Sequence, residues 1–255
     1  MIRTLTVTAL PGIGEIGAGA DLAGVVVRAA ELAGVALGAQ SVIVLAQKIV
    51  SKAEGCTVCL DEVTPSARAL ELAAVTGKEP ALVELILRES IEVVRARPQT
   101  LIVRHRLGHV VANAAIDQSN VASPDGRPRC LLLPRDPNAS AARVRAGIAA
   151  LGRPAPAVIV SDSFGRPWRR GVVNVAIGSA GLPALVDRRG HPDREGRGLK
   201  VTEVAFADAL AAAAGIVMGE ADEGTPVVHL HGARWSAPDN DAASLVRPVA
   251  EDLFR

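Results

Sequence analysis

The sequence predicts an α+β protein built from mixed β-strands with flanking helices. Short apolar runs of strand character recur along the chain, separated by segments with helix caps and helical spacing, and no fixed-period repeat or low-complexity tract interrupts them. Hydrophobic content of 49% with 22% charged residues suits a packed core. Aromatic content is 2% with no Tyr, so that core must consist of Val, Leu, Ile and Ala. At 255 residues, one large domain and two intimate lobes are both compatible with the length.

Residues 2–10 alternate like a strand, and a Gly-rich loop then leads to Asp21, a good cap for a helix to about Ala33. The continuous apolar run 41–50 reads as a buried strand. Thr64 and Pro65 signal a helix to about Val75. From Pro80 to Arg97, Glu84, Arg88, Glu92 and Arg95 recur at helical spacing, which predicts one amphipathic helix with those four on a solvated face. Residues 100–116 read as two strands turning at Leu107 and Gly108, with Asp117 just beyond the second. A stretch rich in Pro, Asp and Arg at 123–138, broken by a short strand CLLL, is a candidate boundary. Asn138 then caps a helix to about Leu151, and 155–163 is a buried strand turning polar at Ser161, Asp162 and Ser163. A strand at 172–178, a charged loop at 187–200, a helix at 202–218, a core strand at 226–232 and a terminal helix from about Asp241 complete the reading.

Lys plus Arg number 28 against 27 for Asp plus Glu, so the net charge of +1 lacks the basic surplus on which nucleic-acid or anionic-membrane binding rests. With so few aromatic rings, single-strand stacking platforms are also excluded. The longest apolar run, 209–218, is about half of the roughly 20 residues a membrane span needs. The N-terminus lacks the pattern of a secretory leader, which makes the cytoplasm the expected location. Cys56, Cys59 and Cys130 form an odd set, as in a reducing compartment, and no second pair or nearby His completes a zinc site around Cys56 and Cys59.

Gly12, Gly14 and Gly17 satisfy GxGxxG after the first strand, which raises a dinucleotide-binding fold. Against it, the capped helix starts only at Asp21, Glu15 would set a carboxylate beside the pyrophosphate, and the second strand ends in Gln47 and Lys48 rather than an acid. No GxxxxGK[ST] loop and no GxSxG elbow occurs. Oxygen donors do lie at strand and helix ends: Asp117, Asp162, Ser163 and Glu220 would suit magnesium or manganese shared with a phosphate chain. Lys52, Arg166, Arg169 and Arg170 would complement the remaining negative charge. Each acid also has a structural alternative: a turn cap for Asp117, an arginine pair for Asp162, an exposed loop for Glu220.

Six segments in fixed order go further: ALPGI at 9–13, IVSKAEG at 49–55, ANAAIDQSNV at 112–121, LLLPRDP at 131–137, VIVSDSFGRPWRRGVVNVAIGSAG at 158–181 and MGEADEGTP at 218–226. In these the chain resembles, over nearly its whole length, the coenzyme F420-0:L-glutamate ligase family, which elongates the tail of a deazaflavin cofactor. The resemblance implies mixed sheets in two lobes, a homodimer, and GTP-dependent amide formation between a carboxylate of the precursor and the amino group of L-glutamate. It implies Mg2+ or Mn2+ held by Asp117, Asp162, Ser163 and Glu220, with Asp117, Asp162, Ser163 and Arg169 as the catalytic set. Leu10, Pro11, Gly12 and Ile13 would line the guanine nucleotide pocket with Lys52, Asn120 and the loop Met218, Gly219, Glu220, Ala221, Asp222, Glu223, Gly224 and Thr225. Gln47 and Lys48 join the nucleotide candidates where the family often carries small hydroxyl residues. The precursor's anionic parts would fall to Arg166, Arg169 and Arg170, and the chain stops where some relatives append a nitroreductase domain. Two rivals stand beside this reading: an NAD(P)-binding oxidoreductase using the glycine loop, and a nucleotide-binding protein without turnover.

Overall fold

The computed structural model describes residues 4–121, 123 and 125–253, so the predicted start of the first strand at residues 2 and 3 lies outside the described residues. In chain order the strands and helices are β1 (Thr6–Ala9), α1 (Leu22–Leu32), β2 (Ser41–Ala46), α2 (Gln47–Ala53), β3 (Thr57–Cys59), α3 (Ala67–Thr76), α4 (Pro80–Arg88), β4 (Ser90–Arg97), β5 (Thr100–His105), β6 (Val110–Ala112), β7 (Arg129–Leu131), α5 (Pro137–Ala150), β8 (Ala157–Arg166), β9 (Arg169–Ala180), β10 (Leu185–Asp187), β11 (Glu203–Ala205), α6 (Phe206–Met218) and β12 (Val227–His231). Mixed sheets with flanking helices make the fold α+β, as expected. The chain forms two compact units, one from Met1–Val50 with Arg135–Arg255, the other from Ser51–Pro134.

The first unit is organised by a five-stranded sheet in the order β1-β12-β2-β8-β9. Only β2 and β8 run parallel; the other neighbours are antiparallel. Because successive strand residues face opposite sides, Val42, Val44, Ala157, Ile159, Val228 and Leu230 gather on the α6 face with Leu210, Ala211 and Ala214. Ile43, Leu45, Val158 and Val160 are equally buried on the other face. There α5 packs on β8 and β9, and α1 packs on α5. Each buried Val, Leu or Ile side chain contributes about 1.5–3 kcal/mol by leaving water, which lets a core nearly free of aromatic rings hold the unit together.

Several predicted boundaries move, each for a local reason. Asp21 caps α1 as expected, its carboxylate accepting from the Gly24 amide at 3.1 Å. The apolar run 41–50 is not one strand: β2 stops at Ala46 and α2 begins at Gln47. The cap of α5 is Asp136, not Asn138, and the Asn138 side chain instead accepts from the Ser179 and Ala242 amides at 2.9 and 3.1 Å. The predicted helix 202–218 is the short strand β11 followed by α6. At the expected terminal helix the chain forms two single 3-10 turns, Ala242–Leu245 and Val249–Glu251. No described helix is long and apolar enough to cross a membrane.

In the second unit β4, β5 and β6 form an antiparallel sheet, β3 pairs with β7, and α3 and α4 pack together. The predicted helix 80–97 is overturned: α4 ends at Arg88 and β4 takes Ser90–Arg97 into the sheet. Glu84 is not on a solvated face. It is 9% exposed, accepts from the Ser66 amide at 2.9 Å and pairs with Arg88 at 2.9 Å. Bonds from Ser66 and then Arg88 hold its carboxyl down at about 2. A folded-state value below the ordinary 4.5 stabilises the fold fully above that pH, and the contribution is lost as pH falls from 4.5 towards 2. Glu84→Gln should therefore cost about 2 kcal/mol near neutrality, a charged hydrogen-bond acceptor being lost, and should flatten stability between pH 5 and 2. Urea melts of the variant and the parent across that range check both outcomes.

Asn113, Ala114 and Ala115 all have φ near +53°, a full turn in the left-handed region that L-residues avoid. The turn closes with the Ile116 amide on the Asn113 carbonyl at 3.0 Å and delivers the chain directly to Asp117. At the half-buried Ala115, replacement by Gly should stabilise the protein by about 1 kcal/mol, since only Gly adopts this conformation freely. A higher midpoint in thermal unfolding is the expected readout.

Candidate active site

The registers of the five-stranded sheet set one level at which the candidate segments of the first unit meet. Ala9 pairs with Val228, Val227 with Leu45, and Ala46 with Ser161. Just past that level the Leu10 amide donates to the Val227 carbonyl at 2.9 Å, and the Ala46 amide to the Pro226 carbonyl at 2.8 Å. The loop after β1, the start of α2, the α6–β12 loop and the polar end of β8 therefore share one end of the sheet. Sheet ends where strands finish together are common ligand sites, because loop backbone and polar side chains are free of the ladder there.

Each segment is held for an identifiable reason. Leu10 is 1% exposed, so its side chain belongs to the core and only the backbone around it can face a ligand, whereas Pro11 and Gly12 are exposed and Ile13 half-buried. Gly12 has φ +74° and a Cβ there would lie 2.7 Å from the Leu32 side chain, so glycine is required by this turn. Gly14 and Gly17 have open space around them. Gln47 is buried and Lys48 half-buried on α2. Met218 is a core residue, and Gly219 ends α6 with φ +77°. A Cβ at Gly219 would strike the Glu223 carboxylate, which accepts from the Ala221 amide at 2.8 Å. That amide holds Glu223 below its ordinary range. The Thr225 hydroxyl donates to the Met218 and Val217 carbonyls at 2.7 and 3.1 Å, closing the helix end. Glu220, Ala221, Asp222, Glu223 and Gly224 are exposed.

On β8, Asp162 and Ser163 are half-buried and pair with Val175 and Asn174. Strand alternation sends their side chains to opposite faces, Ser163 with Ser161 and Ile159 to the α6 side and Asp162 with Val160 to the other. A register shift between Val160 and Ser161 marks a bulge in β9, where the Ala176 amide donates to Asp208 on α6 at 2.9 Å. Burial raises the Asp208 carboxyl. Sequence reasoning missed Ser161, which is 1% exposed with a hydroxyl that has no described hydrogen-bond partner. Its signal was the Ser-Asp-Ser run at the end of an apolar strand. Arg166, Arg169 and Arg170 are exposed beyond it.

Asp117, Asn120 and Lys52 belong to the second unit. Asp117 is half-buried, exchanges two backbone hydrogen bonds with Leu131, and accepts from both the amide and hydroxyl of Ser119 at 2.7 Å. This is the turn-forming role foreseen as its alternative. Asn120 is exposed with φ +55°, and Lys52 is half-buried in the last turn of α2. Among the described residues, neither unit gathers three or more His, Cys, Asp or Glu side chains into a metal-holding cluster by itself.

The glycine loop does not open a dinucleotide-binding unit: β1 and β2 are separated by the antiparallel β12, and the strand order is that of a mixed sheet. Residues 12–232 match the family described as F420-0:Gamma-glutamyl ligase. The coenzyme F420:L-glutamate ligase of Methanothermobacter thermautotrophicus is 45% identical over 254 residues, covering 98% of this chain and 99% of the relative. Those of Methanopyrus kandleri and Halobacterium salinarum are 43% and 44% identical, covering 100% and 97% of this chain and 99% and 94% of theirs. A polar sheet end in a chain so closely related to ligases defines an enzyme of the ligase class. The chain belongs to the F420-0:gamma-glutamyl ligase family.

Proposed function

We propose that the protein joins L-glutamate to F420-0 by an amide bond at this sheet end, using GTP and a divalent metal and releasing GDP and phosphate. What supports the reading is the meeting of ALPGI, the start of α2, SDS and MGEADEGTP at one level of the sheet, since these segments are remote in sequence and carry the family's motifs. A carboxylate is a poor electrophile at neutral pH. Its oxygen attacks the γ-phosphorus, the bond to GDP breaks, and the resulting acyl phosphate is opened at its carbonyl carbon by the neutral amine of glutamate, with phosphate leaving and the amine's proton passing to solvent. Such phosphoryl transfer depends mainly on positioning and charge neutralisation.

In this mechanism the turn at Gly12 and the loop Gly219–Thr225 approach the nucleotide with exposed backbone, and Lys48 supplies positive charge beside them. The oxygen donors Asp162, Ser163 and Glu220 fit a hard cation, and the unpartnered Ser161 hydroxyl fits a polar ligand group beside them. Because Asp162 and Ser163 face opposite ways, a given ion takes the side chain of one of them. Asp117 is a further carboxylate of the same chemistry, assigned by its motif. Mg2+ or Mn2+ held there would neutralise phosphate oxygens. We further propose a cytoplasmic homodimer. Incubating the protein with F420-0, glutamate, Mn2+ and either GTP or ATP should give a product heavier by one glutamyl unit with GTP. Absence of that product with both nucleotides would overturn the reading.

A further inference from the structure

Pairing of β2 with β8 ends at Ala46 and Ser161, so from Asp162 onward β8 is bonded only to β9 and the two project beyond the sheet as a ribbon. Every residue from Gly165 to Val172 is exposed. Pro167 and Trp168 form the tip between the paired Arg166 and Arg169. Trp168 is 80% exposed, and its φ of +58° is a conformation that a bulky side chain adopts at a cost. In a chain with two Trp, three Phe and no Tyr, one of the largest rings is thus mostly exposed at a strained turn.

Its neighbours are cationic. Several arginines elsewhere pair with carboxylates, as Arg68, Arg88, Arg106, Arg127, Arg129, Arg153 and Arg189 do. Among the described residues Arg166, Arg169 and Arg170 pair with none, and Arg166 instead donates across the ribbon to the Arg170 carbonyl at 3.3 Å. Gly165 has no atom within 4 Å of where a Cβ would sit, and a register shift follows it at Arg166, so the surface of the ribbon is open beside the arginines. At about 3.3 Å per residue the tip stands roughly 15 Å along the ribbon from Ser163.

Resting on the function proposed above, we infer that this ribbon is the recognition element for the cofactor precursor. Trp168 stacks on the planar deazaflavin ring, and Arg166, Arg169 and Arg170 hold the anionic chain that joins the ring to the carboxylate reacting near Asp162 and Ser163. A ring and its acidic tail, extended along the ribbon, match an exposed aromatic surface followed by guanidiniums without carboxylate partners. No role in holding GTP follows for the tip.

The test is the split between substrates and between kcat and KM. Trp168→Ala should raise KM for F420-0 about tenfold or more, with kcat at saturation and KM for GTP little changed, and Trp168→Phe should recover most of the loss. In a Trp235→Phe background, F420-0 should quench the remaining Trp168 emission, and GTP should not. An unchanged KM for F420-0 in Trp168→Ala, or absence of quenching while the parent ligates normally, overturns the inference and leaves the function standing. A fall in molar mass by sedimentation in Trp168→Ala, with KM for F420-0 unmoved, assigns the tip to a second copy of the chain and also overturns it. No ligation by the parent overturns the function first, and quenching by F420-0 then reads the ribbon separately.

Discussion

Asp162→Ala should lower ligation by roughly 10²–10³-fold or more while the protein remains folded. The size follows from the mechanism proposed above, because removing one group that stabilises charge on a transferring phosphoryl typically costs that much, and loss of a ligand to the proposed metal ion belongs to this class of defect. Retention of fold follows from position. Asp162 is half-buried where β8 has already left β2, so its side chain contributes little to the apolar core. The comparison to make is steady-state GDP release with F420-0 and glutamate against the thermal midpoint of the same preparation. Wild-type turnover would remove Asp162 from the chemistry, and a collapsed midpoint would make its role structural.

Gly178→Ala should act the opposite way, through stability. Gly178 lies on β9 where α5 begins, and a Cβ there would sit 2.3 Å from both the carbonyl carbon and the oxygen of Pro137. Backbone cannot swing aside as a flexible side chain can, so strand and helix must separate. We expect about 3 kcal/mol of destabilisation, the upper end for overpacking, visible as a lower denaturant midpoint with an unchanged slope. Because α5 is fixed at this point also by the Asn138 contacts to Ser179 and Ala242, the shift should reach the sheet end and reduce ligation as well.

Local chemistry made much of the fold legible: the Asp21 cap, the β5–β6 turn around Leu107 and Gly108, and the apolar strands 41–46 and 157–161 all follow from neighbours in sequence. The failures share a cause. Glu84, Arg88, Glu92 and Arg95 keep helical spacing through 80–97, yet Ile91, Val93 and Val94 are β-branched and β5 offers a partner strand, so tertiary pairing outweighs the period. In 41–50 nothing polar interrupts the run before Gln47, and apolar continuity alone does not separate a strand from the helix that follows. For the candidate site, the oxygen-bearing residues and the loop segments proposed to meet a nucleotide were legible as motifs. Their common level across the sheet was not, because it depends on pairings such as Ala46 with Ser161 that no local pattern encodes.

The interruption of the first unit's chain by the second bears on how the molecule is made. The inserted stretch is continuous, and its entering and leaving strands, β3 and β7, lie side by side with Thr57 opposite Leu131. It can therefore mature on the ribosome while its host is still half synthesised, and in doing so it draws its own ends together. The loop that the host must close to bring β2 against β8 is shortened accordingly, which lowers the entropic barrier to a distant parallel pairing.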